Sequence, residues 1–145
     1  MSHVKNILQK KGYATITIES YSTVYNALEM MMNKNVGALL VMDSDKFIGI
    51  FTERDYARKV ILEGKASKKT LIKEIMNDHP VTVTPTTTVK ECMNLMTDKV
   101  IRYLPVLDDS DKVVGIISMS DIVKHLMEEQ KFIIDSLQNY ISNQQ

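Results

Sequence analysis

The sequence predicts an α+β fold built from two similar halves, and two observations lead to this prediction. First, four apolar residues with the i, i+3, i+4, i+7 spacing of a helix recur 65 positions later. The two sets are Val24, Ala27, Leu28 and Met31, then Val89, Cys92, Met93 and Met96. Second, each predicted helix is followed by two short apolar runs separated by a polar turn, a pattern typical of strands.

Each half contains the same predicted elements in the same order. The alternating, β-branched runs "ATITI" and "PVTVT" precede the helices and predict a first strand. "GALLVMD" and "RYLPVLD" follow as second strands, the turns "SDK" and "DSDK" come next, and the third strands end in "GIFTERD" and "GIISMSD", which begin a second helix. We therefore expect β-α-β-β-α halves, in which a right-handed crossover joins two parallel strands and the third strand runs antiparallel.

The boundaries of these parts follow from the repeat. We predict an N-terminal helix in 1–12, a first half at 13–62, a connector at 63–78, a second half at 79–128 and a helical extension at 129–145. The connector holds a short amphipathic piece at Leu71, Ile72, Ile75 and Met76. A half of this size buries little surface, so we expect the two small mixed sheets to pack as a pseudo-twofold pair that shares one core.

The final helix is predicted to run from Ile122 to Ile141 and to continue past the repeat. It carries Val123, Leu126, Ile133, Ile134, Leu137 and Ile141. Because this apolar face is too large to leave in water, we expect it to pack on the body or on a second subunit.

Composition excludes several classes of protein. The 18 basic and 18 acidic residues give no net charge, which disfavours binding to nucleic acid or to an anionic membrane, although Lys65, Lys68 and Lys69 form a local basic patch. One cysteine, Cys92, excludes an internal disulfide framework, and three scattered histidines show no zinc spacing. The sequence has no apolar signal-peptide core and no membrane-spanning run, so we expect a cytoplasmic protein.

The repeated turn has two interpretations. Thr52-x-x-Asp55 and Ser118-x-x-Asp121 match the spacing of a helix capping box, in which a hydroxyl and a carboxylate satisfy backbone N–H groups. The same groups could bind a ligand, since an aspartate can accept both hydroxyl protons of a ribose diol and a hydroxyl can donate to phosphate. Gly49 and Gly115 would permit close approach of a ligand, but strand packing explains them equally well.

Both copies of this turn resemble the signature Gly-Ile-x-Ser/Thr-x-x-Asp of the cystathionine β-synthase (CBS) domain. The resemblance covers about residues 13–128, in the tandem arrangement called a CBS pair or Bateman module. It implies two related clefts for adenosine-containing ligands such as AMP, ADP, ATP or NAD, with S-adenosylmethionine ranked below them.

The resemblance assigns residues to each cleft. The first cleft would use Asp55 for the ribose diol, Thr52 for ribose or phosphate, the backbone of Ile16 for the adenine edge, Val36, Gly37 and Ala38 for the base, and Arg54 and Arg102 for phosphate. The second would use Ser118, Asp121, Val81 and Tyr103. When the two halves are aligned, Ser120 corresponds to Arg54 and Gly37 corresponds to Arg102, so the cations are not repeated. We therefore expect the first cleft to prefer a phosphorylated nucleotide and the second to bind more weakly.

Each assignment has a structural alternative. Arg54, with Arg58 and Lys59, could lie on a solvated helix face, Arg102 could be a surface residue, and Ile16 and Val81 could be core strand positions. For function, the resemblance implies a regulatory module without catalytic activity, a homodimer in which two pairs form a flat disc and act on a protein that the sequence does not identify. The alternatives are a structural oligomerisation module with vestigial clefts and an enzyme, for which we find no nucleophile paired with a base.

Overall fold

The computed structural model describes residues 2–143, which form small sheets flanked by helices. In chain order the elements are α1 (Val4–Lys11), β1 (Thr17–Glu19), α2 (Val24–Lys34), β2 (Ala38–Asp43), β3 (Lys46–Thr52), α3 (Glu53–Tyr56), α4 (Ile72–Ile75), α5 (Val89–Lys99), β4 (Tyr103–Leu107), β5 (Val113–Ser118) and α6 (Met119–Asn143). A π-helical turn at Ala57–Ile61 continues α3. This confirms the predicted α+β class.

The first half has the predicted topology. Its sheet has the order β1-β2-β3. β1 runs parallel to β2, with Thr17 paired with Leu40, and β2 runs antiparallel to β3, with Ala38 paired with Thr52. The register of the antiparallel pair shifts between Val41 and Met42. Helix α2 crosses between the two parallel strands, as expected for a β-α-β unit.

The second half repeats the antiparallel pair, but one predicted strand is absent. β4 and β5 are antiparallel, with Tyr103 paired with Ser118. Their register shifts after Val106, at the position equivalent to the shift after Val41 in the first half. The run at 80–84 was predicted as a strand, yet it makes only a single parallel bridge, from Val83 to Val106. Prolines explain the difference, since Pro105 in β4 has no N–H to donate, Pro80 begins the run and Pro85 follows it.

The prediction of one shared core is wrong, because the buried residues form two clusters. The first cluster combines α2, the first sheet and Val60 with Ile72 and Ile75 of α4. The second combines α5, β4, β5 and Ile122 with Val4, Ile7 and Leu8 of α1. Each half is therefore completed by an amphipathic helix from outside the predicted half-domain, and α1 packs on the half that is distant in sequence.

The final helix is continuous with the helix that follows β5. It spans Met119–Asn143, somewhat longer than predicted, and of its residues only Ile122 and His125 are buried. Beyond Leu126, which packs against the second core, the apolar side chains are exposed, and polar contacts of Glu128 with Lys10 and of Glu129 with Ser2 join the helix to the N-terminal segment. Between residues 2 and 143, no helix is long and apolar enough to cross a membrane.

Candidate functional site

The repeated turn forms a capping box in both halves. The Asp55 backbone N–H donates to Thr52 Oγ1 at 3.2 Å, and the Thr52 backbone N–H donates to Asp55 Oδ2 at 3.0 Å. Asp121 and Ser118 repeat this exchange at 3.1 and 2.9 Å. The capping interpretation is therefore confirmed as geometry. It does not exclude ligand binding, because the Asp55 and Asp121 side chains remain 13% and 21% exposed.

One cleft lies where Thr52 and Asp55 of the first half face the second half. Its volume is ≈ 620 Å³, within the range of small-molecule sites. It is lined by Gly37, Ile50, Thr52, Glu53, Arg54, Asp55, Asn77, Pro80, Val81, Ile101, Arg102 and Tyr103. Seven of these residues were predicted from the sequence as site residues: Gly37, Thr52, Arg54, Asp55, Val81, Arg102 and Tyr103.

The division of residues between two clefts needs correction. Val81 and Tyr103, assigned to the second cleft, lie in the Asp55 cleft instead. The physical reason is that this cleft joins the helix start of one half to the first residues of the strands of the other half.

Three residues assigned to the first cleft are placed elsewhere. Ile16 and Val36 pack against the first core, and Ala38 is buried in β2. In the repeat, Ile16 corresponds to Val81 and Ala38 to Tyr103.

Gly37 and Tyr103 make the closest approach across the cleft. A Cβ at Gly37 would overlap the Tyr103 hydroxyl and come within 2.9 Å of Glu53 Oε1, so a larger residue here would require these side chains to move. The Gly37 carbonyl accepts a hydrogen bond from the Glu53 backbone N–H at 3.1 Å. Burial raises the pKa of Tyr103 above its ordinary value and the Glu53 carboxylate raises it further, so the phenol is held in its neutral, hydrogen-bond-donating form.

The two predicted arginines have different surroundings. The Arg54 guanidinium donates to the Val100 carbonyl at the end of α5, which connects the two halves beside the cleft. Arg54 is therefore not on a purely solvated face, and its guanidinium keeps further N–H donors beyond this contact. Arg102 also lines the cleft, and among residues 2–143 it makes no ion pair within 4 Å.

Sequence reasoning missed several lining residues. Glu53 lies within the quoted turn, but the family pattern attached no role to its position. Asn77 was placed in the connector, although its backbone N–H and carbonyl pair with Ile50 at 2.9 and 3.0 Å and form part of the cleft wall. Only pairing between distant segments reveals this contact. No group of three or more potential ligands that could hold a metal occurs in the described part of the chain.

The second copy of the turn has a neighbour that the first lacks. Lys11, at the end of α1, donates to Asp121 Oδ2 at 2.7 Å and to the Ile116 carbonyl at 2.8 Å. In the first copy the carboxylate pairs with Lys59 of its own helix at 3.3 Å. No feature of the sequence pattern indicated Lys11, because α1 was expected to lie outside the repeat.

Comparison with known proteins identifies the repeat. The family model for the CBS domain matches residues 4–62 and 72–128. These matches begin earlier than the predicted halves at 13 and 79, because they include α1 and α4. The CBS domain-containing protein CBSX3, mitochondrial, of Arabidopsis thaliana is 36% identical over 95% of this chain and 71% of its own length.

Solved structures share the fold over most of the chain. A CBS-domain protein from Burkholderia ambifaria MC40-6, provisionally described as a signal-transduction protein, is 43% identical, with a TM-score of 0.85 over 89% of this chain and 96% of its own. The hexameric CBS-CP12 protein from bloom-forming cyanobacteria is 31% identical, with a TM-score of 0.72 over 83% of this chain and 66% of its own. This chain spans only 20% of a longer Arabidopsis thaliana relative, CBSCBSPB2.

Proposed function

The chain belongs to the CBS domain family, and we propose that it is a regulatory module that binds an adenine nucleotide in the Asp55 cleft. The candidate ligands are AMP, ADP, ATP and NAD. The observation that carries this proposal is the cleft itself, which brings polar and apolar groups from both halves around ≈ 620 Å³ of space. Relatives are named as CBS-domain or signal-transduction proteins, which favours a regulatory role over catalysis.

The lining suits the parts of a nucleotide. Ile50, Val81 and Ile101 provide apolar surface for a base, and the Tyr103 ring provides an aromatic surface for it. Asp55 can accept hydrogen bonds from the ribose hydroxyls, since its carboxylate is partly exposed.

The charges in the cleft are mixed, and this narrows the ligand class. Arg54 and Arg102 are opposed by Glu53 and Asp55. A simple polyanion would meet both carboxylates, whereas a nucleotide can place its phosphates at the arginines and its hydroxyls at the carboxylates. Arg54 uses one nitrogen for the Val100 carbonyl, so its other N–H groups remain available for phosphate.

Ligand binding would act on the relative position of the two halves. The cleft takes Thr52 and Asp55 from one half and Val81 and Tyr103 from the other, so a bound nucleotide contacts both. Such a ligand regulates only if it binds two arrangements of the halves with different free energies. The regulated protein would then recognise the arrangement that the nucleotide favours.

We further propose that the module self-associates through α6. Exposed apolar residues follow one another at spacings of three, four and seven along this helix: Val123, Met127, Ile134, Leu137 and Ile141. With Gln130 they form a 4-3-4-3-4 seam, the pattern of a helix that pairs with another helix. A second copy supplies an equal seam, and the hexameric CBS-CP12 neighbour shows that this fold can assemble.

A purely structural module is the second candidate, and the same seam on α6 favours it. In that case the clefts would bind nothing, and self-association would be the only function. Nucleotide binding separates the two candidates, because a ligand that binds the folded state must raise its stability.

The test is isothermal titration of AMP, ADP, ATP and NAD into protein freed of co-purified nucleotide. Wild type should bind at least one of them, and Asp55→Ala should weaken binding by about tenfold or more, since it removes a charged hydrogen-bond acceptor. Asp121→Ala is the matched control, because it removes the same capping box in the other half. Absence of binding in folded wild type would refute the proposal and leave the structural module.

A further inference from the structure

We infer that Lys11 blocks the second copy of the cleft, so that each chain binds one nucleotide, at Asp55, and not two. The inference rests on the proposed function and adds to it the number of sites and the residue that determines this number. Its basis is a difference between the two copies that the repeat does not predict.

Lys11 is held at the second turn by two acceptors. Its ammonium donates to Asp121 Oδ2 at 2.7 Å and to the carbonyl of Ile116 at 2.8 Å. Asp121 Oδ2 also accepts the Ser118 backbone N–H at 2.9 Å. Lys11 therefore places a cation from another helix on the carboxylate oxygen that also closes the capping box, whereas in the first copy the lysine pairs with the other oxygen, Asp55 Oδ1.

Helix length explains why only one copy has this contact. Helices α1 and α4 begin alike, since the backbone N–H of Val4 donates to Thr87 O and that of Ile72 donates to Ser22 O, both at 2.8 Å. Helix α4 ends after four residues, whereas α1 continues to Lys11.

The end of α1 and the backbone segment that follows α4 therefore contact their sheets differently. After α4 the chain is extended, and the backbone N–H of Asn77 donates to Ile50 O at 2.9 Å. In the repeat Ile116 corresponds to Ile50, and there the side-chain ammonium of Lys11 takes the place of that backbone N–H. The longer α1 thus replaces a neutral donor by a cation beside Asp121.

The first copy also has a lysine, but in a different arrangement. Lys59 pairs with Asp55 at 3.3 Å from the same helix, is 45% exposed and is not part of the cleft lining. Lys11 reaches Asp121 from another element and is 34% exposed. Lys11 and Asp121 also line a cavity of ≈ 280 Å³ between α1 and α6, which is not a copy of the Asp55 cleft, since Asp121 alone among its lining residues has an equivalent there.

A nucleotide that hydrogen-bonds to Asp121 Oδ2 must therefore displace an ammonium and remove a donor from Ile116. Losing a hydrogen bond to a charged group lowers affinity by about tenfold or more. We expect the affinities of the two copies to differ enough that only one equivalent of nucleotide binds per chain at concentrations that fill the Asp55 cleft.

The experiment counts sites by isothermal titration with AMP and with ATP. Lys11→Met and Lys11→Gln remove the cation while keeping a long side chain, and Lys11→Arg keeps the cation. Lys10→Met is the matched control, since Lys10 is the adjacent residue and pairs with Glu128 at 3.3 Å instead of Asp121. Far-UV circular dichroism checks that each variant is folded.

We expect one equivalent per chain for wild type, Lys10→Met and Lys11→Arg, and two for Lys11→Met and Lys11→Gln, the second being lost when Asp121→Ala is added. Two equivalents in wild type, one equivalent in both neutral Lys11 variants, or a second equivalent in Lys10→Met would each overturn the inference while leaving nucleotide binding intact. Absence of binding in every protein would instead overturn the proposed function, and this inference with it.

Discussion

Leu8 should be as important to the second half as any residue of that half's own sheet. Its side chain is 1% exposed and belongs to the second core, although it lies in α1. A Cβ at Gly115 in β5 would lie 2.7 Å from Leu8 Cδ2, so the leucine occupies the space that a side chain there would need. Leu8→Ala therefore opens a cavity that Gly115 cannot fill.

The expected cost follows from this burial. Truncating a fully buried leucine to alanine lowers the free energy of unfolding by about 2–5 kcal/mol. For Leu8→Ala we expect a decrease of about 3 kcal/mol, since the strand opposite cannot move in to fill the cavity. In a domain of this size each kcal/mol lowers the melting temperature by about 2–4 °C. We therefore expect a decrease of roughly 6–12 °C.

Urea denaturation followed by circular dichroism measures this change, with Gln9→Ala as the control. Gln9 is the next residue on the same helix and is exposed, so its substitution should change the free energy of unfolding by less than about 0.5 kcal/mol. A cost for Leu8→Ala as small as that of the control would refute the assignment of α1 to the second core.

Three further predictions concern the cleft, the final helix and the cysteine. Gly37→Ala should cost about 1–3 kcal/mol in urea denaturation and should weaken nucleotide binding, because the new methyl group must displace Tyr103; unchanged stability and affinity would contradict the close contact. Ile134→Ser combined with Leu137→Ser should convert the assembly to monomers in sedimentation velocity, since both residues are exposed on the seam, and a wild type that is monomeric at every concentration would contradict self-association. Burial raises the pKa of Cys92 from 9.0 to about 11; the folded state therefore holds its proton more tightly than the unfolded chain, so this contribution to stability is present below pH 9 and is lost as the pH rises toward about 11. Alkylation of Cys92 at pH 8 should accordingly be slow in buffer and fast in urea, and equal rates would show that the thiol is accessible.

Much of the fold could be predicted because it depends on short-range patterns. The helical spacing of Val24 to Met31 and its recurrence in α5 specify two amphipathic helices, and both begin with a threonine cap, at Thr23 and Thr88. The antiparallel third strands were also predicted correctly, since a short polar turn between two apolar runs permits little else.

The errors arose where distant segments meet. The alternation of "PVTVT" is that of a strand, but Pro105 in the neighbouring strand limits its pairing to the single bridge at Val83. The placement of Val81 and Tyr103 beside Asp55 likewise depends on how one half faces the other. A repeat shows which residues are equivalent, but not which half each of them faces.

The sequence by itself determined the duplicated half-domain and the two capping turns, because both depend on spacing along the chain, while the resemblance to the CBS domain supplied seven of the twelve residues that line the cleft. Only the tertiary structure decided that α1 completes the second core, that Arg54 contacts Val100, and that Lys11 lies on Asp121. These contacts join residues far apart in the chain, and packing alone selects them among many combinations that the sequence pattern would permit equally.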